Sequence, residues 1–354
     1  MKVKRVPEEV GILAILAVVA VIFTLLSPNF ATVSNLQVLL LNGAVIAFLA
    51  LGQAFVLLTG GIDLSTGSNI ALTGVIAALV MSTGAPWWVA TLVALATGVA
   101  VGVFNGAVVH FIKLPPFIVT FSTFGIAASI PQILTGAESV NVADPLFAMI
   151  GRGSLLGIPM PVVLVLIAAV VFAFVLRRTS TGVHIYAVGG NKETSRLAGV
   201  GIARTTILVY AVSGLCAAFG GVITASRLMV GYPTAGSGNE LFFSIAAAVV
   251  GGVSLFGGIG SIPGAFFGAL LIATVSNGMN VVGVDSFWQP LVIGVIILLG
   301  VSLDTYRRNV AFSSLAATWL RGGRGEATAD GASPTAEASP SASADAPATT
   351  PNRK

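Results

Sequence analysis

The sequence predicts an all-α polytopic membrane protein of about ten transmembrane helices, with both termini cytoplasmic and a disordered C-terminal tail. Three observations carry this prediction. Hydrophobic residues make up 56% of the 354 and charged residues only 8%, whereas a soluble domain carries roughly 25% charge. Mean hydropathy is +0.99. Charge is also pushed to the ends: residues 10–303 hold 14 charged side chains, and the short segments 1–9 and 304–354 hold the other 16.

Crossing a ~30 Å hydrocarbon core takes roughly 20 apolar residues as a helix. The charge-free runs 10–62, 64–112 and 241–284 are each long enough for two crossings. Helix breakers divide the chain at 27–28, 60–61, 84–86, 114–116, 157–161, 231–236, 257–264 and 283. The segments this leaves are 9–26, 36–58, 65–82, 87–110, 116–136, 160–177, 205–227, 240–256, 261–281 and 287–303. The first follows Lys2, Lys4 and Arg5 in the manner of a secretory signal. Pro7-Glu8-Glu9 interrupts that pattern and Ser27-Pro28-Asn29-Phe30 is a poor cleavage site, so the segment reads as an uncleaved span.

Orientation follows from Lys and Arg, which collect on the cytoplasmic side. With ten spans and the N-terminus inside, 15 of the 17 basic residues are cytoplasmic, and only Arg152 and Arg227 fall outside. Residues 1–8 then form a cytoplasmic N-terminal segment, 9–304 the transmembrane domain with a cytoplasmic loop at 177–204, and 305–354 a cytoplasmic tail. From about Gly322 the tail has no aromatic or large aliphatic residue. It cannot bury enough apolar surface to offset chain entropy and is expected to be disordered.

Several chemistries fall away. The lone Cys216 forms no intrachain disulfide, and with only His110 and His184 there is no Cys/His metal constellation. No G-x-x-x-x-G-K-[ST] run occurs, so the chain carries no nucleotide-binding P-loop. No paired acid/base or nucleophile arrangement suggests a catalytic residue. The pI near 9.5 reflects membrane sidedness and implies no nucleic acid partner.

Within the loop 177–204, residues 191–199 read as a short helix. Asn191 is placed to cap it, Glu193 complements the helix dipole, and Gly199 suits the left-handed stop. Charge alone is compatible with an inert connector or with a docking knob.

Four blocks carry a family resemblance. Thr59-Gly60-Gly61-Ile62-Asp63-Leu64-Ser65-Thr66-Gly67-Ser68 resembles the G-G-I-D-L-S-x-G-S signature of monosaccharide ABC importer permeases of the ribose/xylose/galactose type. The stretch Thr179–Gly182, Tyr186–Asn191 and Arg196–Gly199 resembles that family's cytoplasmic coupling loop. Gly251-Gly252-Val253-Ser254-Leu255-Phe256-Gly257-Gly258-Ile259-Gly260-Ser261 is similar to its second glycine signature, and its first eight residues weakly echo residues 60–67. Asn277–Asn280 with Ser286–Gln289 is similar to its last outer turn.

The resemblance implies a pore subunit in the cytoplasmic membrane, used twice per complex as a homodimer or with a related permease. It works with a cytoplasmic ABC ATPase, which binds the ATP and Mg²⁺, and an extracytoplasmic sugar-binding protein. This chain itself would bind no cofactor or metal. The 191–199 helix becomes the coupling helix, with Asn191, Glu193, Arg196 and Leu197 at the ATPase. The alternative is a stand-alone secondary transporter or channel for a small polar solute, which should show paired intramembrane charges.

Asp63 is the one acid between Glu9 and Lys113. Buried charge in a membrane is costly and suggests function, but Asp63 or Ser65 can also cap the third segment. A structural break near the cytoplasmic face, shaped by Gly60, Gly61, Gly251 and Gly252, is the expectation favoured over gating. A sugar path needs transient hydrogen-bonding groups, for which Asn42, Gln53, Asn69, Asn105, Thr120, Gln132, Asn277 and Asn280 are candidates. Glycine ladders at Gly98, Gly102, Gly106 and at Gly260, Gly264, Gly268 predict close helix packing within the chain. The outer loop 137–159, sparse in bulky anchors, is expected to be a solvated surface offering mixed charge to a binding protein.

Overall fold

In a computed structural model, residues 8–302 and Thr305 are described, with side chains from Val10 onward. The basic N-terminal cluster, the C-terminal basic cluster and the tail beyond Tyr306 lie outside the described residues.

The helices are α1 (Glu8–Leu26), α2 (Val33–Leu58), α3 (Thr66–Ser82), α4 (Trp87–Ala107, continued by a π-turn to Ile112), α5 (Pro116–Thr135), α6 (Pro145–Arg152), α7 (Met160–Arg178), α8 (Ser180–Gly190), α9 (Lys192–Leu197), α10 (Ile202–Leu228), α11 (Glu240–Val250), α12 (Ile262–Val282) and α13 (Trp288–Ser302). Among the described residues, six are long and apolar enough to cross a membrane: α2, α4 with its π-turn, α5, α7, α10 and α12. Shorter apolar helices occupy the other expected positions, at Val10–Leu26, Thr66–Ser82, Glu240–Val250 and Trp288–Ser302. The chain is an all-α, multi-pass membrane protein.

Local chemistry explains the boundaries. The Thr32 hydroxyl accepts from the Asn35 amide at the start of α2, and Ser261 accepts from Gly264 at the start of α12. Pro116 and Pro145 open α5 and α6, where a missing N–H costs nothing. Gly136 and Gly283 close α5 and α12 with φ of 63° and 84°, a left-handed conformation glycine adopts without strain.

At the centre lie α2, buried on all sides from Ile46 to Leu58, and α10, most of whose residues are buried. The first glycine ladder packs α4 on α10: Gly98 faces Gly214, Gly102 the Tyr210 carbonyl and Gly106 the backbone of Ile207. In lipid such close backbone approach replaces the hydrophobic drive that water would supply. A methyl group at Gly102 would overlap the Tyr210 carbonyl oxygen. Gly102→Ala is therefore expected to cost about 1–3 kcal/mol, read as a lower midpoint in thermal unfolding of the solubilised protein. A midpoint equal to wild type would show that the two helices can part there freely.

Four expectations need correction. The second ladder is shorter than its spacing suggested: Gly264 and Gly268 meet the carbonyls of Gly251 and Ala247, but Gly260 precedes α12. The eighth segment ends at Val250, because Gly252, Gly257, Gly258 and Gly260 all take positive φ and residues 251–261 form a loop. The loop 137–159 is not merely solvated. It contains α6, whose Phe147 is fully buried, and whose Gly151 amide donates to Ser226 of α10 at 2.7 Å. A two-residue strand in this loop, β1 (Val140–Asn141), pairs antiparallel with β4 (Val230–Gly231), while β2 (Ser154–Leu155) and β3 (Ile158–Pro159) form a second small ribbon. Finally, most of the loop 177–204 is helical, since α8 precedes the expected short helix.

Candidate functional site

The short helix α9 has the expected caps. Asn191 Oδ1 accepts from the Thr194 amide at 2.9 Å, and Gly199 closes the turn with φ of 82°. Glu193 and Arg196 pair at 3.2 Å on its exposed side. Leu197 is 82% exposed. A large aliphatic side chain held out beside an ion pair on a rigid, capped turn has the form of a knob.

Helix α8 joins this knob to the interior. Tyr186 Oη donates to the Gly260 carbonyl at 2.8 Å. Burial pushes the Tyr186 phenol up, against a smaller opposing pull from Arg177, so it stays a hydrogen-bond donor at neutral pH. Gly189 lies so close to the Leu58 carbonyl and the Gly258 amide that a β-carbon there would overlap both. The two glycine signatures meet at the same place. The Gly258 amide donates to the Leu58 carbonyl at 2.9 Å, and Gly257 lies against the Gly60 amide. Gly60 and Gly252 adopt φ of 78° and 85°. Gly61 leaves room for the Tyr210 hydroxyl and Gly251 for the Gly264 carbonyl. The helix-break glycines thus make one junction, in which α2–α3 and α11–α12 are interrupted side by side against α8.

Asp63 follows the first break and is fully buried within the chain. Its Oδ1 accepts from the Ser65 amide at 2.9 Å and the Ser65 hydroxyl at 2.6 Å, and its Oδ2 from the Ser213 hydroxyl at 2.7 Å. Ser213 is the twelfth residue of α10, about 17 Å along that helix from Ile202. The network continues outward: Asn105 Nδ2 donates to Ser65 Oγ at 3.0 Å, and Thr123 Oγ1 donates to Asn105 Oδ1 at 2.6 Å. Thr120 donates to the Ile62 carbonyl at 3.2 Å. Ser65 occupies the cap position of α3 without making a side-chain cap bond; Asp63 instead holds the Ser65 amide.

The remaining polar candidates do not converge on one site. Asn42 accepts from Arg227 at 2.7 Å, Asn277 donates to Asn35 at 3.1 Å, and Asn280 accepts from Gln289 at 2.7 Å. Gln132 is exposed on α5 and bonds back to the Ala128 carbonyl at 3.0 Å. Gln53 and Asn69 are fully buried, and neither amide finds a hydrogen-bond partner among the described residues. Sequence reasoning passed over Ser213, because its partner Asp63 lies 150 residues away.

The family described as branched-chain amino acid transport system / permease component matches residues 35–301. The chain is 40% identical over 306 residues to the ribose import permease protein RbsC of Escherichia coli (strain K12), covering 85% of this chain and 94% of that protein. It is 36% identical over 299 residues to the D-allose transport system permease protein AlsC of the same strain, covering 84% and 91%. With the L-arabinose transport system permease protein AraH, also of that strain, it shares 36% over 304 residues, covering 86% and 92%. No solved structure matches the chain. These relatives agree with the resemblance carried by the four sequence blocks. By the extent of these matches, the chain belongs to the branched-chain amino acid transport system / permease component family.

Proposed function

We propose that this chain is the permease subunit of an ATP-binding-cassette importer that moves a monosaccharide across the cytoplasmic membrane. The observation that carries this reading is similarity along nearly the whole length of permeases named for ribose, D-allose and L-arabinose. A partner ATPase binds ATP and Mg²⁺ and supplies the energy. An extracytoplasmic binding protein delivers the sugar, and a second permease copy completes the pore. The cycle is alternating access, and this chain performs no covalent chemistry.

The knob on α9 is the contact for the ATPase. An exposed ion pair contributes only about 0–1 kcal/mol to a fold, so replacing Glu193 and Arg196 with Ala should leave the permease inserted and folded. The same double variant should recover less ATPase on co-purification. Leu197→Asp should do so more strongly, because it would bury a charge in an apolar contact. Undiminished recovery with all three residues changed would remove the coupling assignment. The function itself is tested by uptake of labelled ribose, allose or arabinose into cells expressing the complex. Uptake that stops with ATP depletion supports an importer of this kind; uptake that follows the proton gradient supports a secondary transporter.

A further inference from the structure

The ribbon β2–β3 turns through Leu156 and Gly157, whose φ angles are 53° and 82°, with Leu155 paired to Ile158 across the turn. Two successive residues of positive φ make a type I′ turn, for which hairpins favour Asn-Gly or Asp-Gly. Here a leucine takes the first place, in a left-handed conformation that a residue with a β-carbon adopts at a cost. The fold gives Leu156 no packing in exchange, since it is 96% exposed. Leu155 and Ile158 beside it are exposed as well. Backbone strain of this kind persists where a site uses it, and the use of Leu156 lies outside the chain.

The surroundings say what that is. Helix α6, just before the ribbon, turns Phe147 and Gly151 onto the last turns of α10 and leaves Leu146 and Met149, three residues apart, exposed on its other face. Arg152 follows at the same spacing, also exposed, and its Nε donates to the Arg227 carbonyl at 2.6 Å. Phe147 belongs to a packed cluster that Trp87, the first residue of α4, joins, and the neighbouring Trp88 is exposed. Tryptophan collects at the level of the lipid headgroups, so α6 lies at that level. The ribbon leads within one residue into α7, a membrane-crossing helix with Ile167, Val170 and Phe174 exposed along it. The apolar tip is thus continuous with a lipid-facing surface. Apolar patches of this kind mark contact with a membrane or a partner rather than with water.

We propose that α6 and the β2–β3 ribbon are an interfacial anchor, with Leu156 inserted among the acyl chains of a phospholipid leaflet and Leu146 and Met149 resting on its headgroup boundary. Arg152 stands at the polar edge, where its stem covers apolar surface and its guanidinium meets lipid phosphates. The anchor is tied to α10: Ser226 accepts from the Gly151 amide and donates to the Phe147 carbonyl. The 27 residues of α10 rise about 40 Å, more than the ~30 Å of the hydrocarbon core. Apolar length alone leaves the depth of such a helix open, and the anchor fixes it.

Spin labels on single cysteines test the anchor in the full-length protein, reconstituted in bilayers of phosphatidylcholine and phosphatidylglycerol. The sole native thiol, Cys216, is buried and supplies the blank. Collisions with oxygen, which concentrates in hydrocarbon, and with a nickel chelate, which stays in water, report the depth of each label. Val170→Cys on α7 and Glu193→Cys on α9 give the lipid and water limits. The label at Leu156→Cys is expected about 5–10 Å inside the headgroup level, with an oxygen-to-nickel ratio close to that of Val170→Cys. Leu155→Cys takes its place if that variant fails to insert. A ratio close to that of Glu193→Cys would put the tip in water and overturn the anchor. An immobilised label that meets neither reagent would be covered by protein, and would overturn lipid as the occupant. With Leu156→Asp in place, a label at Leu228→Cys on α10 should shift in depth by about 1.5 Å or more, one residue of helix rise; an unmoved label would overturn the depth-setting role.

Discussion

Asp63→Ala is expected to destabilise the solubilised protein by about 2–4 kcal/mol, and Asp63→Asn by less than about 1 kcal/mol. The carboxylate is fully buried and accepts from one amide and two hydroxyls, belonging to Ser65 and Ser213. Through Ser65 it reaches Asn105 and Thr123, so one side chain holds together the entry to α3 and helices α4, α5 and α10. Alanine leaves those buried donors without their acceptor. Asparagine keeps one oxygen for Ser65, and its amide can donate to Ser213, whose hydroxyl turns to accept. Thermal unfolding followed by tryptophan fluorescence would rank the three proteins. An Asn variant as unstable as the Ala variant would show that the negative charge itself holds the network. Stable Asn and Ala variants that had both lost transport would move Asp63 from the scaffold to the gate.

Much of this architecture is legible in the sequence because a bilayer leaves the chain few choices. Expected segments 36–58, 65–82, 160–177, 205–227 and 261–281 correspond to α2, α3, α7, α10 and α12 within a few residues. In each case apolar length and a Gly, Pro or charged residue at the end suffice to set the boundary. The parts that were missed depend on tertiary packing. α6 is eight residues of mixed character, and it is fixed by Phe147 and Gly151 against α10. α8 contains Gly182, Gly189 and Gly190, poor helix formers whose use becomes plain only where Gly189 meets Leu58 and Gly258. Asp63 could be recognised as unusual, but its partner Ser213, 150 residues away, could not. The polar candidates were recognisable by residue type alone, which cannot separate Asn105, bound into a network, from Gln53 and Asn69, which find no partner among the described residues.

On the importer reading proposed above, Gly189→Val is expected to reduce sugar uptake by about 5–150-fold while the permease still inserts and still binds the proposed ATPase, the range that a coupling energy of 1–3 kcal/mol allows. The substitution adds its bulk where α8 touches both interrupted helix pairs, against the Leu58 carbonyl and the Gly258 amide. A β-branched side chain there must push α8 away from the junction, at an overpacking cost of about 1–3 kcal/mol. The knob on α9 continues from α8 through Asn191 alone, so it would remain available to the ATPase while its mechanical link to the breaks at Gly60 and Gly258 was loosened. ATP hydrolysis should then persist but no longer rise when the loaded binding protein is added. Tyr186→Phe gives the graded comparison: it removes the hydrogen bond to the Gly260 carbonyl, worth about 0.5–1.5 kcal/mol, without adding bulk. Its uptake should fall between wild type and Gly189→Val. Normal uptake by Gly189→Val would mean that the junction tolerates separation from α8, and that movement of the ATPase reaches the pore by another route, such as the direct packing of α9 against α10.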